Sequence, residues 1–212
     1  MHRMGRQSYR EKIVASGMQT VHQGGFATVG VRELTERAGV AQGSFTNHFK
    51  TKEEFGVAVL DYYFDQVVRS VIAVTLNDKE RAPMERRRAY FDVITSLFAS
   101  TSPQWHYGCL AGNMALEAAE HSELIRHRLT EIFAEWALPF GRVIRDAQTA
   151  GEVRSDINAE ETGAALLEAW HGAMLRMKID RTPAALDRFK QLVFPALLAG
   201  SEHCEKGRAP EG

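Results

Sequence analysis

Cysteine is scarce in this chain, and long apolar runs are missing. The two cysteines, Cys109 and Cys204, are too far apart to indicate a disulfide framework or the close ligand pairs of a zinc site. No stretch approaches the ~20 apolar residues that are needed to cross a bilayer, and the N-terminal segment is polar. These absences predict a cytoplasmic protein with no membrane partner.

Proline is also uncommon, with six among 212 residues. No segment alternates apolar and polar residues for long enough to predict a strand. There is neither a glycine-rich phosphate loop nor a nucleophile elbow, so the sequence predicts no cofactor and gives no support to those enzyme classes. We therefore predict an all-α fold and a function other than catalysis.

The net charge of −1 hides an uneven distribution. Residues 1–50 hold seven lysines and arginines against three acids, a balance of +4, whereas the remainder holds 19 against 24, a balance of −5. A basic end on an acidic body is typical of a protein that meets phosphate with one end only.

Apolar residues at helical spacing divide the chain into a small head and a larger body. We expect a head in residues 1–50, a helical domain in residues 51–200 and a flexible tail in residues 201–212. Helices are predicted at residues 7–23, 31–38, 42–48, 51–75, 84–100, 108–119, 122–150, 159–179 and 183–198.

Residues 31–49 form the most informative stretch, because two short helices there are separated by a turn at Gly39. Glycine adopts the positive φ that a tight turn between helices needs. Phe45 and Phe49 lie four residues apart and fix the buried side of the second helix, so the segment is typical of a helix-turn-helix. The polar side chains that remain on this helix are Gln42, Ser44, Thr46, Asn47 and His48, which are suited to base edges and phosphates in a major groove.

Lys52 follows at the start of the next helix. Thr51 and Glu54 have the spacing of a capping box. The lysine charge and the free N–H groups of the helix end would both attract a phosphate.

Four short motifs occur in order within the first sixty residues. They are Gly25-Phe26, Ala38-Gly39-Val40, Gly43-Ser44-Phe45-Thr46-Asn47-His48-Phe49 and Thr51-Lys52-Glu53. This combination resembles the N-terminal domain of the tetracycline-repressor (TetR) family of transcriptional regulators. The resemblance implies a homodimer that binds double-stranded operator DNA and a small-molecule effector. The DNA-contacting residues that we expect are Arg32, Gln42, Gly43, Ser44, Thr46, Asn47, His48 and Lys52.

Three positions depart from the family pattern. The family usually has tyrosine where Thr46 stands, often lysine where Gln42 stands, and serine or threonine where Gly30 stands. We therefore expect fewer phosphate contacts and a weaker salt dependence of DNA binding. Gln42 and Asn47 would compensate, since each amide can pair bidentately with adenine.

The resemblance places the dimer interface on the last two long helices, predicted at residues 159–179 and 183–198. Apolar residues recur at helical spacing along both helices. The interface candidates are Leu166, Leu167, Trp170, Met174 and Met177 on the first helix and Leu192, Leu197 and Leu198 on the second, with ordinary protomer core as the alternative.

An effector pocket is expected among the middle helices. Its candidate residues are Phe91, Trp105, Tyr107, Cys109, Met114, Trp136 and Trp170, and the alternative for each is ordinary core. Aromatic side chains in this set favour an apolar or aromatic effector. The family resemblance implies a repressor that leaves its operator when the effector binds, although activation remains open.

Cys109 has a second interpretation. It stands where a helix is expected to begin, and a thiol at a helix N-terminus has a lowered pKa and raised reactivity. Gly108-Cys109-Leu110 is similar to the corresponding stretch of repressors that respond to N-ethylmaleimide and other electrophiles, as are Phe55-Gly56-Val57-Ala58 and Gly30. The alternative is a small buried apolar residue.

A helical-bundle metal enzyme is the competing class. Such enzymes need two Glu-x-x-His motifs and two further glutamates. Glu168 and His171 give one such motif, and we find no second one placed to pair with it. The sequence therefore favours the regulator.

Overall fold

Helices form all of the regular secondary structure in the residues that the computed structural model describes, which are 8–101, 105–196 and 198. The all-α prediction is thus confirmed. Helices α1 to α11 are, in order, Tyr9–Gly24, Val31–Ala38, Gln42–His48, Lys52–Tyr63, Ser70–Val74, Pro83–Thr101, Leu110–Ala118, Glu123–Thr149, Ala159–Asp180, Ala184–Arg188 and Phe194–Ala196. Two π-helical segments, Phe64–Arg69 and Phe189–Val193, lie between α4 and α5 and between α10 and α11.

Backbone contacts divide the chain into two compact units. The first comprises the chain up to Ser70 together with Tyr107–Phe133, and the second comprises Val71–His106 and the chain from Ala134 onward. The first unit therefore contains α4 and α7 in addition to α1, α2 and α3, because both helices pack against α1. The predicted boundary at residue 50, which separates a DNA-binding head from the rest of the chain, stays a prediction.

Helix α1 begins with a complete capping box that sequence analysis did not single out. The Ser8 hydroxyl accepts a hydrogen bond from the N–H of Glu11 at 3.2 Å, and the Glu11 carboxylate accepts one from the N–H of Ser8 at 3.0 Å. Ile13, Val14 and Val21 are buried on the inner side of the helix. The capping box therefore sets where α1 begins, and burial of these apolar side chains sets which side of the helix faces inward.

Helices α2 and α3 form the predicted helix-turn-helix. Gly39 ends α2 with φ of 64°, the left-handed conformation that the turn requires. Its N–H donates to the carbonyl of Glu36 at 3.1 Å, and the N–H of Val40 donates to the carbonyl of Thr35 at 3.0 Å. Gly30 precedes α2 without a side-chain cap, so this departure from the family pattern leaves an N–H of the helix start without that partner.

The capping box predicted at Thr51 is only half formed. The Thr51 hydroxyl accepts the N–H of Glu54 at 3.1 Å, as expected. The Glu54 carboxylate, however, accepts the N–H of Lys50 at 2.7 Å and not that of Thr51. The carboxylate reaches one residue further back, so it holds the connection from α3 in addition to the helix start.

The continuous helix predicted over residues 51–75 is wrong in one respect. A π-helical segment, Phe64–Arg69, interrupts it, and α5 ends at Val74. The wider coil adds a residue to the turn and shifts the buried side, so that Phe64 and Val68 are 1% and 0% exposed. Burial of these two side chains accounts for the irregular turn.

The second unit is built around aromatic side chains on α6, α8 and α9. Phe91 lies 4.7 Å from Trp170 and 5.7 Å from Phe140 between ring centroids. The Trp136 indole N–H donates to the Tyr90 hydroxyl at 2.7 Å. These rings fill the centre of the unit, with the π-helical Phe189 5.1 Å from Trp170.

The single helix predicted over residues 183–198 is also interrupted, by the π-helical segment Phe189–Val193. The interface prediction is wrong for the five residues of α9, because their side chains already belong to the protomer core. Leu166, Leu167, Trp170, Met174 and Met177 are between 0% and 3% exposed, so a partner has no surface of theirs to cover. Leu192 is 64% exposed, Leu198 is buried, and Leu197 and the tail of residues 201–212 lie outside the described residues.

Candidate nucleic-acid interface

Helix α3 presents a polar outer side on an aromatic base. Phe45, Phe49 and Phe55 pack with ring centroids 5.2 to 5.5 Å apart, and all three are buried. This packing fixes the rotation of α3 about its axis. The predicted DNA-contacting residues Gln42, Gly43, Thr46, Asn47 and His48 are exposed, and Ser44 is half-buried.

Arg32 lies in the first turn of α2 and is exposed. It donates to the Glu36 carboxylate at 2.7 Å, and this hydrogen bond raises the pKa of the guanidinium. An exposed pair one helical turn apart is weakly held. Exchange of Glu36 for a phosphate would therefore cost little.

Lys52 is the first residue of its helix, as predicted, and its side chain already has partners within the protein. Its ammonium donates to the carbonyl of Ala27 at 3.1 Å and lies 4.9 Å from the centre of the Phe26 ring. Burial lowers the pKa of Lys52, while the charges of Glu53 and Glu117 act in the opposite direction. The lysine thus braces the connection between α1 and α2, and a phosphate contact would require it to leave Ala27.

Cys109 is the N-cap of α7, which begins two residues later than predicted. Its Sγ accepts the N–H of Gly112 at 3.5 Å and lies 3.8 Å from the Tyr63 hydroxyl. The residue is only 5% exposed. The thiol therefore combines burial with two polar neighbours, one of them a helix N–H group.

Neighbours of Cys109 connect α7 to α1. The His22 Nε2 lies 2.8 Å from the carbonyl oxygen of Gly108. Its ring lies 5.6 Å from the Tyr107 ring, and the Asn113 amide donates to the Tyr107 carbonyl at 2.7 Å. Sequence analysis missed His22, and a histidine near the end of α1 gave no signal that it would meet a residue 86 positions away.

The predicted effector residues belong to different units. Tyr107, Cys109 and Met114 are in the first, whereas Phe91, Trp105, Trp136 and Trp170 are in the second. Phe91, Met114, Trp136 and Trp170 are at most 2% exposed. Trp105 is half-buried with φ of 60°, a conformation that is strained for a bulky side chain.

One recess of about 300 Å³ lies on the surface of the second unit. Its lining residues are Arg81, Glu85, Arg88, Ala89 and Asp92. It includes none of the predicted effector residues, and its lining is charged where an effector pocket was expected to be apolar.

Arg87 is a further residue that sequence analysis missed. It is 0% exposed in the second unit, and burial lowers its pKa to about 9. Its guanidinium donates to the sulfur of Met84 at 2.9 Å. A buried cation is stabilised by a nearby negative charge. The charge of Glu152 acts in this way and raises the pKa of Arg87, against the effect of burial.

The described part of the chain can be compared with the requirements of a metal site and of a membrane-spanning helix. Three or more His, Cys, Asp or Glu side chains do not meet anywhere in it as metal ligands would. The His171 ring bonds to the carbonyl of Leu167 at 2.8 Å, and Glu168 is exposed. No described helix combines the length and apolar character that a bilayer span requires.

Comparison with known proteins gives two family matches. Residues 13–59 match "Bacterial regulatory proteins, tetR family", and residues 83–193 match "Tetracyclin repressor-like, C-terminal domain". The first match contains the helix-turn-helix. Together the two matches span most of the chain.

Similar proteins are repressors and regulators. The HTH-type transcriptional repressor DhaR of Mycobacterium sp. (strain GP1) is 36% identical over 94% of this chain and 98% of its own. The repressor NemR of Escherichia coli (strain K12) is 28% identical over 82% and 85%. The crystal structure of a regulatory protein TetR from Rhodobacter sphaeroides superposes with a TM-score of 0.82 at 26% identity, over 90% of this chain and 99% of that one. The chain therefore belongs to the TetR family of ligand-responsive, DNA-binding transcriptional regulators.

Proposed function

We propose that this chain is a homodimeric repressor that leaves its operator when a small electrophile reacts with Cys109. The observation that carries the proposal is the position of this thiol at the N-cap of α7, where Sγ accepts the N–H of Gly112 at 3.5 Å. A helix N-terminus favours the thiolate, which is the reactive form. The Tyr63 hydroxyl, 3.8 Å away, is a second neighbour able to donate to that anion.

N-ethylmaleimide is a suitable probe for the reaction. Sγ adds to one carbon of the C=C bond, one S–C bond forms, the π bond breaks, and the other carbon takes up a proton in place of the one that the thiol loses. No oxidant is needed. Because Cys109 is 5% exposed, we expect small electrophiles to react faster than bulky ones.

DNA reading is assigned to the exposed side of α3. Asn47 and Gln42 supply amides that match adenine in the major groove, while Ser44, Thr46 and His48 supply shorter hydrogen-bonding groups. Arg32, Gly43 and Lys52 complete the predicted contacts, Lys52 after release from Ala27. A regulator with this role acts at the chromosome, so we propose a cytoplasmic location.

The homodimer is assigned to the outer side of the last helices. Leu175 and Ile179 lie one turn apart on α9 and are 47% and 61% exposed, and Leu192 and Val193 are exposed in the second π-helical segment. Exposed large apolar residues on two neighbouring elements mark an interaction surface. Two heads joined in this way would bind half-sites about one helical turn, or a small multiple, apart.

A non-covalent apolar or aromatic effector is the second candidate. The Trp170 indole N–H is fully buried among aromatic rings and has no acceptor in the described part of the chain. A buried donor without an acceptor is uncommon, so we propose that the bound effector supplies the acceptor. An aromatic effector with an acceptor atom would satisfy it.

Replacement of Cys109 separates these candidates. Ser is a good N-cap, so Cys109→Ser should fold and bind operator DNA like the wild type. After treatment with N-ethylmaleimide, we expect wild type and the matched control Cys204→Ser to release DNA in a fluorescence anisotropy assay, and Cys109→Ser to retain it. Equal release by Cys109→Ser at the same dose would exclude Cys109 as the trigger, and the non-covalent effector would remain as the candidate.

A further inference from the structure

Helix α7 and the residues just before it contact both the last turn of α1 and the connection between α1 and α2. Just before α7, the carbonyl of Gly108 can only accept a hydrogen bond. The His22 Nε2 therefore carries the hydrogen and donates to this carbonyl at 2.8 Å. Near the end of α7, the Glu117 carboxylate accepts the N–H of Ala27 at 3.1 Å. These two bonds join residues that are 86 and 90 positions apart in the sequence.

The peptide groups of Ala27 are held from α4 as well. The Lys52 ammonium donates to the Ala27 carbonyl at 3.1 Å, while the Glu117 carboxylate binds the N–H of the same residue. Lys52 thus binds the carbonyl of Ala27, and Glu117 binds its N–H group. We call Lys52, Ala27 and Glu117 the Ala27 clamp.

Close packing leaves this connection little freedom to move by itself. Gly25 has φ of 89°, and a Cβ at this position would lie 3.1 Å from a Glu117 carboxylate oxygen. A Cβ at Gly56 of α4 would lie 2.7 Å from the Phe26 ring. A displacement of α7 or α4 towards this connection would therefore press directly on Gly25 or Phe26, because both contacts are already tight.

We propose that His22 and Glu117 are the coupling residues through which α7 controls the DNA-reading helices. The trigger rests on the proposed reaction at Cys109, whereas the coupling rests only on these contacts. An adduct on Sγ occupies the N-cap of α7 and removes the acceptor of the Gly112 N–H. Gly108 and the first turn of α7 then move, the His22 bond breaks, and the Ala27 clamp loses its geometry at the other end of the helix.

The clamp also sets a competition for Lys52. When the ammonium is on Ala27 it braces the connection, and when it is on an operator phosphate the Glu117 bond is the part of the clamp that still holds Ala27. Loss of Glu117 removes a negative charge near Lys52 and the hydrogen bond to the N–H of Ala27. Operator binding and the position of α7 are therefore linked, and the linkage is reciprocal: whatever α7 does to operator affinity, operator DNA does to α7.

The test compares two coupling variants with neighbours that make neither bond. Glu117→Ala and His22→Phe remove the bonds, and the matched controls are Glu120→Ala and Gln23→Ala, which change exposed residues of the same segments. For each protein, mass spectrometry gives the rate of Cys109 labelling by N-ethylmaleimide, and anisotropy gives operator Kd before and after labelling. Thermal melting monitored by circular dichroism confirms folding.

For wild type and controls we expect labelling to raise Kd by a factor in the range of about 5 to 150 that is usual for coupled sites. For Glu117→Ala and His22→Phe we expect full labelling with a rise of less than about threefold. Glu117→Gln, which keeps an acceptor for Ala27, should recover most of the wild-type factor. A wild-type factor in both coupling variants would overturn the inference.

A second measurement separates this inference from the proposed function. If labelled wild type keeps its operator affinity, the thiol trigger is wrong, and hydrogen exchange then decides the coupling alone. We expect the amides of α2 and α3 to exchange faster in Glu117→Ala than in Glu120→Ala, without any electrophile. Equal exchange in the two variants would overturn the coupling.

Discussion

Gln42 stands at the exposed first position of α3, where the family often has lysine. Each phosphate that a cation neutralises releases counterions and steepens the fall of binding with salt. We expect Gln42→Lys to steepen the slope of log K against log salt by about 0.9 for each additional phosphate that the protein neutralises. Anisotropy over a salt series measures this, with Gln66→Lys as an exposed control outside the helix-turn-helix. An unchanged slope would show that position 42 does not face a phosphate.

Asp146 joins two cations in the second unit. Its carboxylate lies 2.8 Å from both Lys79 and Arg86, and the hydrogen bond from Lys79, followed by that from Arg86, lowers its pKa below the usual 3.8. The folded state therefore favours the ionised form. This contribution to stability is present above pH 3.8 and disappears as pH falls through the lowered pKa.

Asp146→Asn should accordingly lower the free energy of unfolding at neutral pH and change it less in acid. Arg86 is only 7% exposed in its side chain, so it loses a partner that solvent replaces poorly. Asp146 itself is 37% exposed, and we expect a loss of about 1–2 kcal/mol, below that of a fully buried pair. Urea unfolding from about pH 7 to below pH 3.8 tests the sign, with the exposed Glu80→Gln as control. A loss that grows as pH falls would contradict the assignment.

Among the elements, α8 and α9 cross at two glycines. A Cβ at Gly163 would lie 2.5 Å from the backbone nitrogen of Gly141 and 3.0 Å from its Cα. Backbone cannot turn aside as a side chain can, so Gly163→Ala must push the two helices apart. We expect a loss of about 1–3 kcal/mol in thermal or urea unfolding.

The control for this change is a glycine in open space. Gly43 lies in α3 with no atom within 4 Å of an added Cβ, so Gly43→Ala should raise stability by up to about 1 kcal/mol through helix propensity. A similar gain for Gly163→Ala would mean that the two helices do not cross this closely.

The elements also show where sequence patterns stop being informative. Helices α2 and α3 have the predicted bounds, because glycine and alanine at their ends and the phenylalanine spacing act locally. The π-helical segments were missed, since the extra residue in each turn is fixed by distant packing of Phe64 and Phe189. The bond of His22 to Gly108 was missed for the same reason. Exposure of the α3 side chains followed from the amphipathic pattern alone.

At the scale of the whole molecule, dimer formation depends on apolar side chains that the protomer leaves exposed. Leu175→Asp places a carboxylate in the proposed interface, which costs about 2 kcal/mol or more and weakens the dimer about 30-fold or more. Sedimentation velocity over a dilution series measures the change. Leu124, 49% exposed against 47% for Leu175, supplies the control Leu124→Asp in the first unit. Equal effects of both changes would remove α9 from the interface.

The positions of the tryptophans and of Cys109 give each unit its own reporter of unfolding, an optical one and a chemical one. Trp105, Trp136 and Trp170, which are all of its tryptophans, lie in the second unit, whereas the thiol of Cys109 lies in the first. Intrinsic fluorescence during denaturation will thus follow one unit, and capture of the Cys109 thiol by a chromogenic reagent, measured in the Cys204→Ser variant, will follow the other. Coincident midpoints would mean a single cooperative transition, and separated midpoints would give the order in which the two units melt.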